Sequence, residues 1–171
     1  MPNYRRATGG CCYFFTVVTR ARAPVFRDKR NVTILGNIVR ELLVNRPFVI
    51  DALVLMPEHL HAVWSLPEND PDFSMRWGWI KKEFTKKYRE HVTGNALKSP
   101  WQPRFWEHMI RDQEDYNTHC DYVHYNPVKH GLVSAPSAWP HSTFHRFVRE
   151  GKYSPDWGST PITFADTIGN E

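Results

Sequence analysis

Two histidines separated by one residue, His59-Leu60-His61, are the first pattern in this 171-residue sequence whose types and spacing could do chemistry. On a strand, residues i and i+2 project to one face, so both imidazoles would point together while Leu60, Ala62 and Trp64 turn to the other. Two co-facial imidazoles on a rigid strand are two-thirds of a divalent-metal site. Nine histidines in the chain make such a pair common by chance, so the same spacing also describes two ordinary half-buried histidines. The second pattern is Cys120–Leu132, CDYVHYNPVKHGL. On a helix ending near Asn126, Tyr122 and Asn126 stand at i and i+4 and share a face. Tyr122 is then a candidate nucleophile, and the Asn126 carboxamide oxygen a candidate hard ligand. A packing tyrosine and an Asn-Pro helix terminator are the plain alternatives. Tyr125 lies about 100° round the helix from Asn126 and Tyr116 nearly three turns away, so geometry favours Tyr122 over both. His119 shares its face.

The elements that must position these residues follow from periodicity. Tyr13–Thr19 is a β-branched, aromatic run that predicts a strand. From about Asn31 to Asn45, Ile34, Ile38 and Leu42 recur at helical spacing beside Leu35 and Val39, and Pro47 stops the pattern. Phe48–Met56 is nearly continuously apolar, as a central strand would be. Pro57 and Glu58 break it, and His59–Leu66 predicts a strand returning antiparallel. A helix over about Asp72–Val92 places Trp77, Ile80, Phe84 and Tyr88 on one stripe, and Lys82, Lys86 and Arg89 on another. Arg104–Arg111 predicts a fourth strand. Gln113–Tyr125 predicts a helix that ends at Asn126-Pro127, since proline pushes its predecessor out of the α region. Trp139–Glu150 is partly helical by pattern, and Gly151–Glu171 has the Gly, Ser and Pro content of a tail.

The order β-α-β-β-α-β followed by a further helix is that of an α+β, ferredoxin-like sandwich with a central antiparallel sheet. Both crossover helices would cover one face, leaving the other for a ligand or a third helix. The expected organisation is one domain over residues 1–150 and a C-terminal extension over 151–171.

The charge is uneven. Lys+Arg number 22 and Asp+Glu 18, a formal +4. Arg76–His91 alone holds six basic residues (Arg76, Lys81, Lys82, Lys86, Lys87, Arg89) against Glu83 and Glu90, so the whole excess sits on one helix. Such a face is either simply solvated or meets phosphates. No apolar run approaches the roughly 18–20 residues needed to span a bilayer. MPNYRRATGG has no apolar signal-peptide core, and three cysteines cannot all pair internally, so a reduced, cytoplasmic location is expected. Neither GxxxxGK[ST] nor GxGxxG occurs, so no nucleotide cofactor is expected.

A His-x-His strand with a tyrosine in a downstream helix resembles the HUH endonucleases that use a single catalytic tyrosine. LMPEHLHAVWSLPEND (Leu55–Asp70), WQPRFWEHMIRD (Trp101–Asp112) and DYVHYNPVKHGLV (Asp121–Val133) narrow the resemblance to the REP-associated tyrosine transposases of bacteria. The similarity runs from Tyr4–Arg6 through WPHSTFHR at Trp139–Arg146. The resemblance implies that His59 and His61 hold a divalent ion (Mg²⁺ or Mn²⁺), that Tyr122 is the nucleophile and that Asn126 is the third protein ligand, where many relatives carry Gln. It implies single-stranded DNA hairpins, the repetitive extragenic palindromes, as partner, with a short recognition sequence beside the hairpin. It further implies a monomer in the bacterial cytoplasm, associated with the nucleoid. Arg5 and Arg6 match the basic start used near the recognition sequence, and Lys82, Lys86 and Arg89 would meet phosphates. The expected activity is cleavage and rejoining through a 5′-phosphotyrosine. The alternatives are a catalytically idle hairpin-binding protein of the same descent and a hydrolase acting through metal-bound water.

Overall fold

The computed structural model describes residues 11–93, 99–165 and 168; Arg5 and Arg6 lie outside the described residues. Four strands, β1 (Cys11–Val18), β2 (Val49–Leu55), β3 (His59–Leu66) and β4 (Trp106–Met109), form one antiparallel sheet in the order β2-β3-β1-β4. Helices α1 (Lys29–Asn45) and α2 (Phe73–Arg89) are the two crossovers, and α3 (Gln113–Lys129) and the short α4 (Phe144–Arg149) follow β4. This is the α+β arrangement expected from the element order.

Strand alternation sorts the core into two layers. Phe15, Val17, Leu60, Ala62, Trp64 and Leu66 meet Leu35, Ile38 and Leu42 of α1 and Trp77, Ile80 and Phe84 of α2. On the opposite face Cys12, Phe14, Ala52, Val54 and Val63 meet Tyr116, Cys120, Tyr122 and Val123 of α3, with Phe147 of α4 beside them. α3 is therefore the third helix that the uncovered face could accept. Aspartates open all three long helices: Asp28 accepts from Arg30 N at 2.8 Å, Asp72 from Met75 N at 2.8 Å and Asp112 from Asp115 N at 2.9 Å. Each such cap contributes about 1 kcal/mol.

α3 does not stop at Asn126-Pro127. It runs through Pro127 to Lys129. Proline there removes one N–H near the end of the helix, and the turn closes without it: Gly131 N bonds Val128 O at 2.9 Å and Leu132 N bonds Pro127 O at 2.9 Å. This is a Schellman ending, and it needs the left-handed residue that Gly131 supplies at φ +68°. Gly131→Ala meets no neighbouring atom, so its cost is the backbone alone. We expect about 1–2 kcal/mol lost in urea unfolding.

Beyond α3 the chain returns across it. Tyr153 Oη donates to Asp121 Oδ1 at 2.6 Å, and His124 Nε2 lies 2.8 Å from Thr143 Oγ1. Burial pushes the His124 imidazole down to about 3, so it joins this network as a neutral group. Phe164 packs on the same helix, edge-on to Tyr122 with ring centroids 5.5 Å apart. No described helix is long and apolar enough to cross a membrane.

Candidate active site

β3 supplies His59 and His61 from one face, and α3 lays Tyr122 and Asn126 across them, one helical turn apart. His59, His61 and Asn126 are fully buried and Tyr122 is 1% exposed. The two imidazole centroids are 4.8 Å apart, His61 and Tyr122 are 5.2 Å apart, and His59 Nε2 stands 3.2 Å from Asn126 Oδ1. Four residues singled out from the sequence thus converge on one point between sheet and helix.

The other nitrogen of each ring is held from behind. His59 Nδ1 lies 3.0 Å from Glu58 Oε1, and His61 Nδ1 lies 2.9 Å from Thr16 Oγ1, its cross-strand partner. With Nδ1 engaged, coordination falls to Nε2, the arrangement by which outer partners fix the tautomer of metal-binding imidazoles. A neutral His59 that donates from Nδ1 to Glu58 turns a lone pair toward the Asn126 carbonyl oxygen. Two acceptors at 3.2 Å oppose each other unless a proton or a cation lies between them. Ligand atoms about 3 Å apart are also neighbours in an octahedral shell with bonds of about 2.1 Å. Two imidazoles and an amide therefore fit a divalent ion, and being neutral they leave its charge for a phosphate.

Two contacts at the tyrosine were hidden from sequence reasoning. Lys129 Nζ donates to Tyr122 Oη at 2.8 Å and sits 4.8 Å from its ring centroid. Lys129 is seven residues from Tyr122, two turns along the same face, but a helix ending at Asn126 leaves it off the helix altogether. Phe164 falls in the segment whose composition is that of a tail.

A second polar cluster lies beside the first. His108 of β4 and Asp115 and His119 of α3 bring donor atoms within 4.8 Å of one another, close enough for a cation. The imidazole planes are stacked at 4.7 Å and 17°, and the Asp115 carboxylate accepts from His108 Nε2 and Arg111 N, both at 2.9 Å. Burial alone would raise the Asp115 carboxyl, but the His108 and Arg111 bonds outweigh it and hold the group at about 2. A carboxyl depressed below its unfolded value near 3.9 stabilises the fold above that pH, and the contribution disappears as the pH falls toward 2. Asp115→Asn should therefore be less stable than the parent at pH 6, and the gap should close on acidification through pH 4 to 2 in urea titrations.

Lys82, Lys86 and Arg89 are exposed on α2 and line a cleft of about 410 Å³ with Lys81, Thr85 and Ser99. α2 packs on the sheet face opposite the histidine pair, so the structure separates these three from the tyrosine site. The charge of that helix is also less available than its count. Arg76 is fully buried, with Nη2 2.8 Å from Asp70 Oδ2, because a guanidinium at the first turn finds the carboxylate and carbonyls just before the helix. Lys81 Nζ donates to Gln102 O at 2.9 Å. Trp77 and Trp101 are core residues, 1% and 2% exposed, rather than stacking platforms.

Comparison with known proteins shows the family. The family profile described as "Transposase IS200 like" matches residues 7–126. A REP-associated tyrosine transposase of Escherichia coli strain K12 is 46% identical over 166 residues, covering 96% of this chain and 96% of that protein. A relative from Haemophilus influenzae strain Rd is 38% identical over 172 residues, covering 94% and 96%. A solved structure of a REP-associated tyrosine transposase bound to a REP hairpin superposes with a TM-score of 0.78 at 45% identity, over 95% of this chain and 96% of that one. This chain therefore belongs to a family of DNA-processing enzymes, the REP-associated tyrosine transposases, within the IS200-like transposases.

Proposed function

We propose that the protein is a metal-dependent strand transferase for hairpin-forming single-stranded DNA, with Tyr122 as nucleophile and His59, His61 and Asn126 as the ion's protein ligands. The observation that carries this reading is the buried meeting of Tyr122 with the histidine pair, where His59 Nε2 and Asn126 Oδ1 stand 3.2 Å apart. The hairpin substrate is suggested by the relative whose structure holds a REP hairpin.

In this reading Tyr122 Oη attacks the scissile phosphorus. A bond forms from Oη to phosphorus, the bond to the 3′-oxygen breaks, and that oxygen takes up a proton to leave as 3′-OH. The phenol proton departs, and the strand stays attached as a 5′-phosphotyrosine. Rejoining reverses the exchange and needs no ATP, because the phosphodiester energy is kept in the new ester. When bound, Mg²⁺ or Mn²⁺ supplies Lewis acidity at the non-bridging oxygens. The chain's own residues do the rest. Glu58 and Thr16 hold the imidazoles in register, and α3 fixes the phenol. Lys129 places an ammonium on Tyr122 Oη, where it would stabilise the negative charge that develops on that oxygen as its proton leaves. Lys129→Met should slow adduct formation about 10- to 100-fold, with Lys129→Arg much closer to the parent, as read in single-turnover gels. Phe164 braces the Tyr122 ring edge-on.

Incubation of the protein with a hairpin oligonucleotide carrying a single-stranded extension, with and without Mn²⁺, tests the proposal. It predicts a metal-dependent, denaturant-resistant protein–DNA adduct. Binding with no adduct across such substrates would instead favour an idle hairpin-binding protein.

A further inference from the structure

β4 begins late, and what lies before its first residue has no role in the reading above. The β1–β4 ladder runs only from Tyr13↔Met109 to Thr16↔Trp106. Beyond it β1 continues to Val18, and the chain leading into β4 pairs again only at the Thr19↔Trp101 bridge, where Gln102 N bonds Val18 O at 3.0 Å and Arg20 N bonds Pro100 O at 2.7 Å. The gap is a cleft of about 390 Å³ lined by Thr16, Val18, Arg22, Gln102, Arg104, Phe105 and Trp106. Clefts of about 300–1,000 Å³ accept small ligands.

Its floor adjoins the histidine pair. Thr16 and Val18 are the register partners of His61 and His59, and Thr16 Oγ1 touches His61 Nδ1 at 2.9 Å. Its rim is cationic and aromatic: Arg22 and Arg104 are exposed, and Phe105 and Trp106 are half-buried. Arg22 is held there in an unfavourable backbone. Ala21 and Arg22 have φ of +53° and +50°, a left-handed conformation that L residues seldom adopt twice in succession. Arg22 N bonds Thr19 O at 3.1 Å and Ala23 N bonds Arg20 O at 3.1 Å, which fixes the turn against the cleft.

We propose that this cleft is the subsite for the single-stranded nucleotides flanking the scissile phosphate. Arg22 and Arg104 take backbone phosphates, and Trp106 and Phe105 supply ring faces for an unpaired base. Two cations and two aromatic rings beside one groove are the combination that binds single strands with little sequence preference, and the groove reaches His61 through Thr16 while its Phe105 and Gln102 border Lys81 of α2. The inference rests on the strand-transfer reading and adds to it where the strand runs: past the open start of β4, not across the exposed lysines of the opposite layer.

The test compares the full chain with Arg22→Ala/Arg104→Ala and Arg22→Lys/Arg104→Lys, both at exposed positions. Fluorescence anisotropy would measure binding to a hairpin with a single-stranded extension and to the same hairpin with blunt ends, over a range of salt. The alanine pair should bind the extended hairpin about tenfold or more weaker, with a salt slope shallower by about 0.7 per lost phosphate contact, and should bind the blunt hairpin as the parent does. The lysine pair should keep the parent's slope. Unchanged affinity and slope of the alanine pair for the extended hairpin, while the parent still forms its adduct, would overturn the subsite and leave the strand-transfer reading standing. Equal losses on extended and blunt hairpins would also overturn it. A parent that forms no adduct would overturn the strand-transfer reading, and the subsite with it.

Discussion

Tyr122→Phe should abolish covalent capture of the DNA, by at least about 10³-fold, while leaving hairpin affinity within a factor of about two. The substitution removes one oxygen and keeps the ring. The ring's edge contacts with Phe14 (6.0 Å), His61 (5.2 Å) and Phe164 (5.5 Å) therefore survive, and the fold with them. The cost to stability is the loss of one acceptor for Lys129, about 1–2 kcal/mol at most. A gel resolving adduct from free DNA, run beside a thermal melt, separates the two effects. Tyr116 cannot stand in: it donates to Asp51 Oδ1 at 3.1 Å, and burial first, then the charge of its neighbours, raises its hydroxyl far above the usual phenol range.

His61→Ala is the second large loss. Both histidines are fully buried, and the imidazole fills space between Phe14 at 5.5 Å and Tyr122 at 5.2 Å. Its removal takes away a ligand, releases the Thr16 hydroxyl from its partner and opens a cavity. Even an outer partner of a metal ligand commonly carries 10- to 100-fold in affinity or activity, so loss of the ligand itself should lower the adduct rate by more than about 10²-fold. His61→Gln keeps much of the volume and an amide oxygen, and distinguishes lost coordination from lost packing. If the histidines act through the ion, the glutamine variant folds like the parent and recovers part of its rate as Mn²⁺ is raised. Chelation of the parent should reproduce the alanine defect, and added Mn²⁺ should reverse it.

The parts of this architecture that were legible in advance are those carried by short-range pattern. His59 and His61 stand two apart on a strand, so their shared face follows from strand period, opposite Leu60, Ala62 and Trp64. The apolar rows of α1 and α2 reach the core as their spacing predicts. What stayed hidden depends on chain ends and on distance. Pro127 reads as a stop, but one missing N–H near the end of a helix costs little when Gly131 closes the next turn; that extra turn is what delivers Lys129 to Tyr122. Arg76 counts as surface charge in a sequence and is buried in the fold, because its partner Asp70 lies before the helix begins. The contact of Phe164 with Tyr122 spans 42 positions and follows from no local periodicity. The Arg22–Arg104 cleft required knowing where β4 starts pairing.

The central claim is that Tyr122 becomes joined to the 5′ end of a cleaved strand with the histidine pair's metal bound. Its most direct test is mass spectrometry of the adduct formed with an extended hairpin and Mn²⁺, after proteolysis and nuclease trimming. The account predicts a single modified peptide spanning Tyr122, bearing a nucleotide through its 5′-phosphate, together with a released strand ending in 3′-OH. Attachment at Tyr116 or Tyr125, or cleavage that leaves a free 5′-phosphate and no modified peptide, would contradict it.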